Sequence, residues 1–223
     1  MRDLQRIGGL AALTEALIYV AVFAFYGAVW DFPASAGTAQ KLAFFVQHQT
    51  RLASVNLLGY VVFGILLAVL VLALHERLKH KAAALAQLAA VFGLVWVGLV
   101  IASGMIANIG LAAVVKLAGA QPEQAGALWS AINTVVEGLG GGNEVVGGLW
   151  ALLVSSAALK GDALPRTLNY LGVLVGAVGV LTVYPAEVLT GIFGVSQIVW
   201  FAGLGLFMLR KDQGVSQALR VPA

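Results

Sequence analysis

The stretch Leu52–Leu74 reads LASVNLLGYVVFGILLAVLVLAL, 23 residues without one charged side chain. A hydrocarbon core about 30 Å thick is crossed by about 20 mostly apolar residues in an α-helix, and backbone groups in lipid must be satisfied within their own segment. The stretch is therefore a transmembrane helix. On either side, similar runs broken by charges give spans near 7–30, 82–105, 143–159, 168–189 and 191–209, so that with 52–74 the chain has six. The composition agrees, with 61% hydrophobic and 10% charged residues in 223, and a mean hydropathy of +0.94. A water-soluble domain carries roughly a quarter of its residues as charges. The expectation is one all-α domain over 1–223, a polytopic bundle of six transmembrane helices without a separate soluble domain.

The loops set an orientation. Arg2, Arg6, Arg77, Lys79, Lys81, Lys160, Arg166, Arg210, Lys211 and Arg220 fall on one side of the alternation, and Lys41, Arg51 and Lys116 on the other. By the positive-inside rule this bias places both termini in the cytoplasm of a cell (inner) membrane. Arg2 and Arg6 before an apolar run, with Ala34-Ser35-Ala36 after it, imitate a secretory signal. The run from Ile7 to Trp30 is too long for a signal core and is interrupted by Glu15, so a retained first helix is expected. Two stretches, Ala82–Leu117 and Gln124–Leu159, exceed what a span needs, at about 54 Å each if helical. Both excesses lie beside Gln121-Pro122-Glu123 and, with Asp31–Gln49, imply a small helical cap on the outer side. Gly138 and Gly140-Gly141-Gly142 mark a break where the second stretch enters the membrane.

Polar groups at membrane depth carry the functional expectation, because ionisable side chains in lipid face the bundle interior or a wet cavity. Counting 1.5 Å per residue from the span ends puts Asn56, Glu144 and Gln197 about 5–10 Å below the outer surface, with Arg51, Asn108, Glu137 and Glu187 at the same rim. An outward pocket lined by Arg51, Asn56, Glu137, Glu144, Glu187 and Gln197 follows, closed below by apolar packing. The alternative is structural, with Arg51 paired to Glu144 or Glu187 and the amides bonding across helices. Glu137 and Glu144 share a face only if the glycines between them leave the helix unbroken. Glu15 lies elsewhere, about 12 Å from the cytoplasmic side, on a stripe with Tyr19 and Tyr26. It is an intramembrane carboxylate carried as the neutral acid or bonded to a tyrosine hydroxyl. Tyr184, Pro185 and Glu187 imply a kink in the fifth helix, which frees a carbonyl for a cation or merely eases packing.

Other chemistry is sparse. Without cysteine there is no disulfide, thiolate nucleophile or Cys-based metal site. His75 and His80 fall in a basic loop and His48 near the pocket mouth, all read as surface residues, and no metal site or cofactor is expected. Phosphate-loop, zinc-protease and serine-hydrolase motifs are missing, and the glycines around Gly141 lack the strand that a dinucleotide site needs. Net charge is only +3, spread over short loops, which excludes nucleic acid as a partner. Gly172-x-x-x-Gly176 reads as a helix contact within or between subunits. Trp30, Trp129 and Trp200 are expected at the membrane interfaces.

The run Asn143-Glu144-Val145-Val146-Gly147-Gly148-Leu149-Trp150, followed by Lys160-Gly161-Asp162-Ala163-Leu164-Pro165-Arg166 and the apolar Leu171–Leu181, resembles the six-helix prokaryotic membrane family catalogued as domain of unknown function 4386. Arg6-Ile7-Gly8-Gly9-Leu10 and Thr50-Arg51-Leu52 are similar too, so the likeness spans nearly the whole chain. The resemblance implies that Arg51 and Glu144 stand at family-typical polar positions. It also implies that Asn56 and Gln197 stand where relatives often carry an acid. It carries no activity with it. The functional expectation is a small carrier or receptor for an amphiphilic or cationic molecule, with Glu144 and Glu187 as counter-charges and Arg51 at the entrance. The alternatives are an accessory subunit, packed into a homo-oligomer or larger membrane complex through small-residue faces, and an intramembrane enzyme using Glu144 with His48. Membrane lipid is the one partner common to all three.

Overall fold

A computed structural model describes residues 2–141, 144–184 and 186–218 of the chain. Gly142, Asn143, Pro185 and Arg220, on which several expectations rest, lie outside the described residues. Within them the chain is all helix, without a strand. The elements are α1 (Arg2–Ala24), α2 (Thr38–Asn56), α3 (Phe63–Leu78), α4 (Ala83–Ala118), α5 (Pro122–Val136), α6 (Val145–Gly161), α7 (Arg166–Leu181) and α8 (Glu187–Ala218). Three wide turns of π type extend or join them, at Phe25–Val29 after α1, Leu57–Val62 between α2 and α3, and Glu137–Gly141 after α5.

The chain passes along the bundle six times, because α2 runs on into α3 and α5 leads into α6. Five of the passes are helices long and apolar enough to cross a membrane, and the sixth, α7, is a shorter apolar helix of 16 residues. The protein is a membrane protein with a helical bundle. The start of α1 and the end of the last span lie at one end, since α1 and α8 pack antiparallel and Gly9 meets Met208 and Leu209. At that end Gly161 also meets Lys81, and Gly203 meets Leu168. The loops 78–82 and 162–165, with Lys79, Lys81, Lys160 and Arg166 in or beside them, are thus brought together with the start of α1 and the end of the last span.

Two cores are separated along the bundle axis. The large one, built on Leu67, Leu70, Trp96, Trp150, Val154, Trp200, Phe201 and Leu204, fills the end near the termini. The smaller one joins Leu42 and Phe45 of α2 to Leu111 and Val114 of α4 and Ala125 of α5. It is the core of the cap, made where α4, 36 residues and so about 54 Å long, overshoots a membrane's thickness. Pro122 opens α5, at the position where a missing N–H costs nothing.

Small residues set a close helix contact. Gly148 of α6 faces Gly176 and Gly179 of α7, and a Cβ on Gly148 would stand 2.6 Å from the Val180 nitrogen and 2.7 Å from the Gly176 oxygen. Gly176 is therefore used inside the chain. The fifth pass ends at Leu181, not 189, and the last begins at Glu187, not 191. Thr182, Val183 and Tyr184 form turns, and Tyr184 precedes a proline in the sequence, a position that disfavours helix. A break thus replaces the expected kink.

Trp200 is not at an interface. It is fully buried, with its ring 5.4 Å from that of Trp150, and it lies about 20 Å along α8, in mid-helix.

Candidate functional site: a carboxylate in an aromatic cavity

Glu144 is the pivot. The helix that begins with α5 is broken at Gly140, whose φ of 128° is open to glycine and strained for other residues. The chain then restarts as α6 with Glu144 at its N-cap. The Glu144 N–H donates to Thr182 Oγ1 at 2.8 Å, and the Thr182 hydroxyl donates to the Gly179 carbonyl at 2.6 Å. The Glu144 carbonyl accepts from the Gly148 N–H at 2.7 Å. These bonds fix the backbone against the end of α7. The side chain is held independently, since Trp96 Nε1–H of α4 donates to Glu144 Oε2 at 3.0 Å.

The carboxylate faces a cavity of about 270 Å³. Its wall is aromatic, with Tyr19 and Phe23 from α1, Tyr26 from the first wide turn, Tyr60 from the second, Phe63, Trp96 and, from α8, Phe193. Tyr19 meets Phe63 edge-on at 5.3 Å between ring centres, and Phe63 meets Trp96 at 5.9 Å. The polar exceptions beside Glu144 and the phenols are Asn56 and Thr190. All three wide turns reach this cavity, the first through Tyr26, the second through Gly59 and Tyr60, and the third through Gly140. Single π-type turns in helices occur frequently at functional sites, because the extra residue redirects the side chains that follow.

Asn56 is tied in place. Its Nδ2 donates to Asn108 Oδ1 at 3.1 Å, and Asn108 Nδ2 donates to the Ala53 carbonyl at 3.1 Å, so α2 and α4 are clamped at the level of the cavity. Asn108→Ala is expected to cost about 1 kcal/mol, the range measured for cross-helix hydrogen bonds in membranes, by thermal unfolding in mild detergent. An unchanged midpoint would mean that the clamp contributes nothing.

Of the six residues expected around one pocket, Asn56 and Glu144 line the same cavity. Arg51, Glu137 and Glu187 are exposed and do not line it. Arg51 forms no ion pair with Glu144 or Glu187. Glu137 accepts a long bond from Asn133 Nδ2, 3.5 Å, and the break at Gly140 separates its face from that of Glu144. Gln197 is wholly buried and does not line the cavity, because the earlier start of α8 places it about 15 Å down that helix. Glu15 is also fully buried, and neither its carboxyl oxygens nor the Gln197 amide has a hydrogen-bond partner among the described residues. Its stripe mates part from it, since Tyr19 and Tyr26 face the cavity and Glu15 does not. His48 Nδ1 lies 3.0 Å from the Phe44 carbonyl and its ring stacks on Phe44, away from Glu144. Among the described residues no three His, Asp or Glu side chains are grouped as a metal site.

The sequence reading missed Trp96, Tyr60, Phe63, Phe193 and Thr182. One signal was available for Trp96. A tryptophan in mid-span, far from the interfaces such rings favour, has an N–H that needs a partner in an apolar interior.

The fold and the site together define a helical membrane protein with a carboxylate held inside an aromatic cavity. Over residues 7–211 the chain matches the family described as Domain of unknown function (DUF4386), and it belongs to that family. No curated protein and no solved structure matches it.

Proposed function

We propose that the protein binds a small organic cation with an apolar body, an amine or quaternary ammonium, in the Glu144 cavity, as a receptor or carrier in a prokaryotic plasma membrane. The observation that carries this reading is the Glu144 carboxylate, oriented by Trp96 and facing a cavity walled by phenyl, phenol and indole rings. A carboxylate in such surroundings has lost its water and gains most from a cation that restores the lost solvation. Aromatic faces attract the same cation through their quadrupoles, by about 2 kcal/mol or more where water is excluded. At about 270 Å³ the cavity is at the small end of ligand pockets, which span about 300–1,000 Å³, so the ligand is small.

The gathering of basic loops at the terminal end supports a topology with both termini in the cytoplasm and the cap outside. Glu144 and the three wide turns then lie toward the outer half, beneath the cap. The accessory-subunit reading leaned on small-residue faces free for a partner, and its clearest candidate, Gly172–Gly176, is occupied by the α6–α7 contact.

The test is charge selectivity at constant shape. Benzyltrimethylammonium and its carbon isostere neopentylbenzene differ by one nitrogen and one charge. The cation is expected to raise the unfolding temperature of the protein in mild detergent in a saturable way, as a ligand of the native state must. Neopentylbenzene and benzenesulfonate are expected to leave it unchanged. Equal stabilisation by the neutral isostere, or none by the cation, overturns the reading.

A further inference from the structure

The Glu144 cavity is not isolated. A second cavity, about 250 Å³, shares Tyr26, Asn56 and Tyr60 with it, and a third, about 460 Å³, lies in the cap between α2 and α5. The second and third share Phe32, Phe45 and Trp129. The three spaces therefore form a series running from the cap, where Lys41 and Glu123 face the outermost one, down to Glu144. Each partition is one layer of side chains thick.

The two partitions differ in how they are held. The outer is a run of rings in contact, with Phe32 stacked on Phe45 at 5.3 Å and Phe45 tilted against Trp129 at 4.3 Å between ring centres. In the inner, Asn56 is fixed by Asn108, whereas among the described residues no hydrogen bond ties Tyr26 or Tyr60. Both tyrosines stand on wide turns, and Tyr26 is 45% exposed. Wide turns of this kind are frequent at functional sites, and here they set both rings beside the anchored Asn56.

From this arrangement, and resting on the cation-binding reading above, we infer that the cap cavity is the entrance to the Glu144 site. Tyr26 and Tyr60 are its inner gate, and a small organic cation enters through the cap rather than sideways from the lipid between α1 and α8. A passage of this kind sets rates and not the equilibrium. Obstructing it raises one barrier shared by entry and exit and leaves the bound and free states as they were.

The chain has no cysteine, so a single introduced thiol can be labelled without background. Ser130 is exposed and lines the cap cavity. Ser130→Cys protein, folded and purified, is compared before and after reaction with a polyethylene-glycol maleimide. Benzyltrimethylammonium is the probe, followed by stopped-flow tryptophan fluorescence as it enters beside Trp96. The label is expected to slow association and dissociation together by about tenfold or more, with the dissociation constant changed less than about twofold. The same label on Gly119→Cys, whose position is exposed at the turn after α4 with open space around it and lines none of the three cavities, is expected to change neither rate. Unchanged rates with the Ser130 label, or a changed dissociation constant at an unchanged association rate, overturn the route and leave the cation site standing. Absence of saturable binding to the unlabelled protein overturns the cation site, and the route with it.

Discussion

Glu144→Gln is expected to weaken benzyltrimethylammonium binding by about 30- to 1,000-fold while leaving the unfolding temperature of the ligand-free protein nearly unchanged. Removing one partner of a buried charge pair costs about 2–4 kcal/mol, and that cost converts to the stated loss of affinity. The substitution keeps the shape of the side chain, and a glutamine carbonyl still accepts from Trp96 Nε1–H, whose bond to Glu144 Oε2 is 3.0 Å. It also leaves the Glu144 backbone bonds to Thr182 and Gly148 in place. What it removes is the charge. Glu187→Gln is the matched control, since Glu187 is exposed and outside the cavity, and it is expected to bind the cation as the wild type does. Titration calorimetry on the three proteins separates these outcomes. Equal affinities for wild type and Glu144→Gln would remove Glu144 from the site.

The largest effect on stability is expected at Gly148. A methyl group there meets only backbone, with Val180 N at 2.6 Å and Gly176 O and Gly179 C at 2.7 Å, so no side chain can rotate aside. Helices α6 and α7 must separate. Overpacking of a close contact costs about 1–3 kcal/mol and at times more, and Gly148→Ala should reach or pass the top of that range. The damage extends to the site, because the Gly148 N–H holds the Glu144 carbonyl and Thr182 anchors Glu144 to the end of α7. Gly98→Ala is the contrast. Nothing lies within 4 Å of its Cβ position, and replacing a helical glycine there is expected to stabilise by up to about 1 kcal/mol. Chemical unfolding in detergent measures both. A Gly148→Ala protein as stable as wild type would contradict the α6–α7 contact.

Much of the architecture was readable from hydropathy and charge, because a bilayer imposes length and apolarity on every span and leaves charges for the loops. The overlong stretches around Pro122 foretold the cap by the same arithmetic. Lateral detail was another matter. Asn56 and Glu144 were placed together by depth alone, and the structure puts both on one cavity. Depth also grouped Gln197 and Glu187 with them, and there it failed, because the last helix begins four residues earlier than its hydropathy implies. An error of that size moves a side chain about 6 Å along the axis and turns it by about 40°.

The wide turns have a stronger effect. One additional residue rotates everything beyond it by about 100°, and nothing in the run Leu57–Val62 announces such a turn. Tyr60 and Phe63 could thus not be assigned to a face from spacing. The aromatic wall was invisible for a related reason. Aromatic residues in a span are ordinary apolar residues until the helices around them are arranged, and the cavity draws its rings from four of the six passes.

The central claim is that Glu144 and its aromatic surroundings hold an organic cation. A high-resolution map of the protein in mild detergent, recorded with and without benzyltrimethylammonium, tests it most directly. The account predicts density for the probe in the cavity, its ammonium nitrogen against the Glu144 carboxylate and the faces of Trp96 and Tyr60. An empty cavity at saturating probe, or probe density confined to the outer apolar face of the bundle, would contradict it.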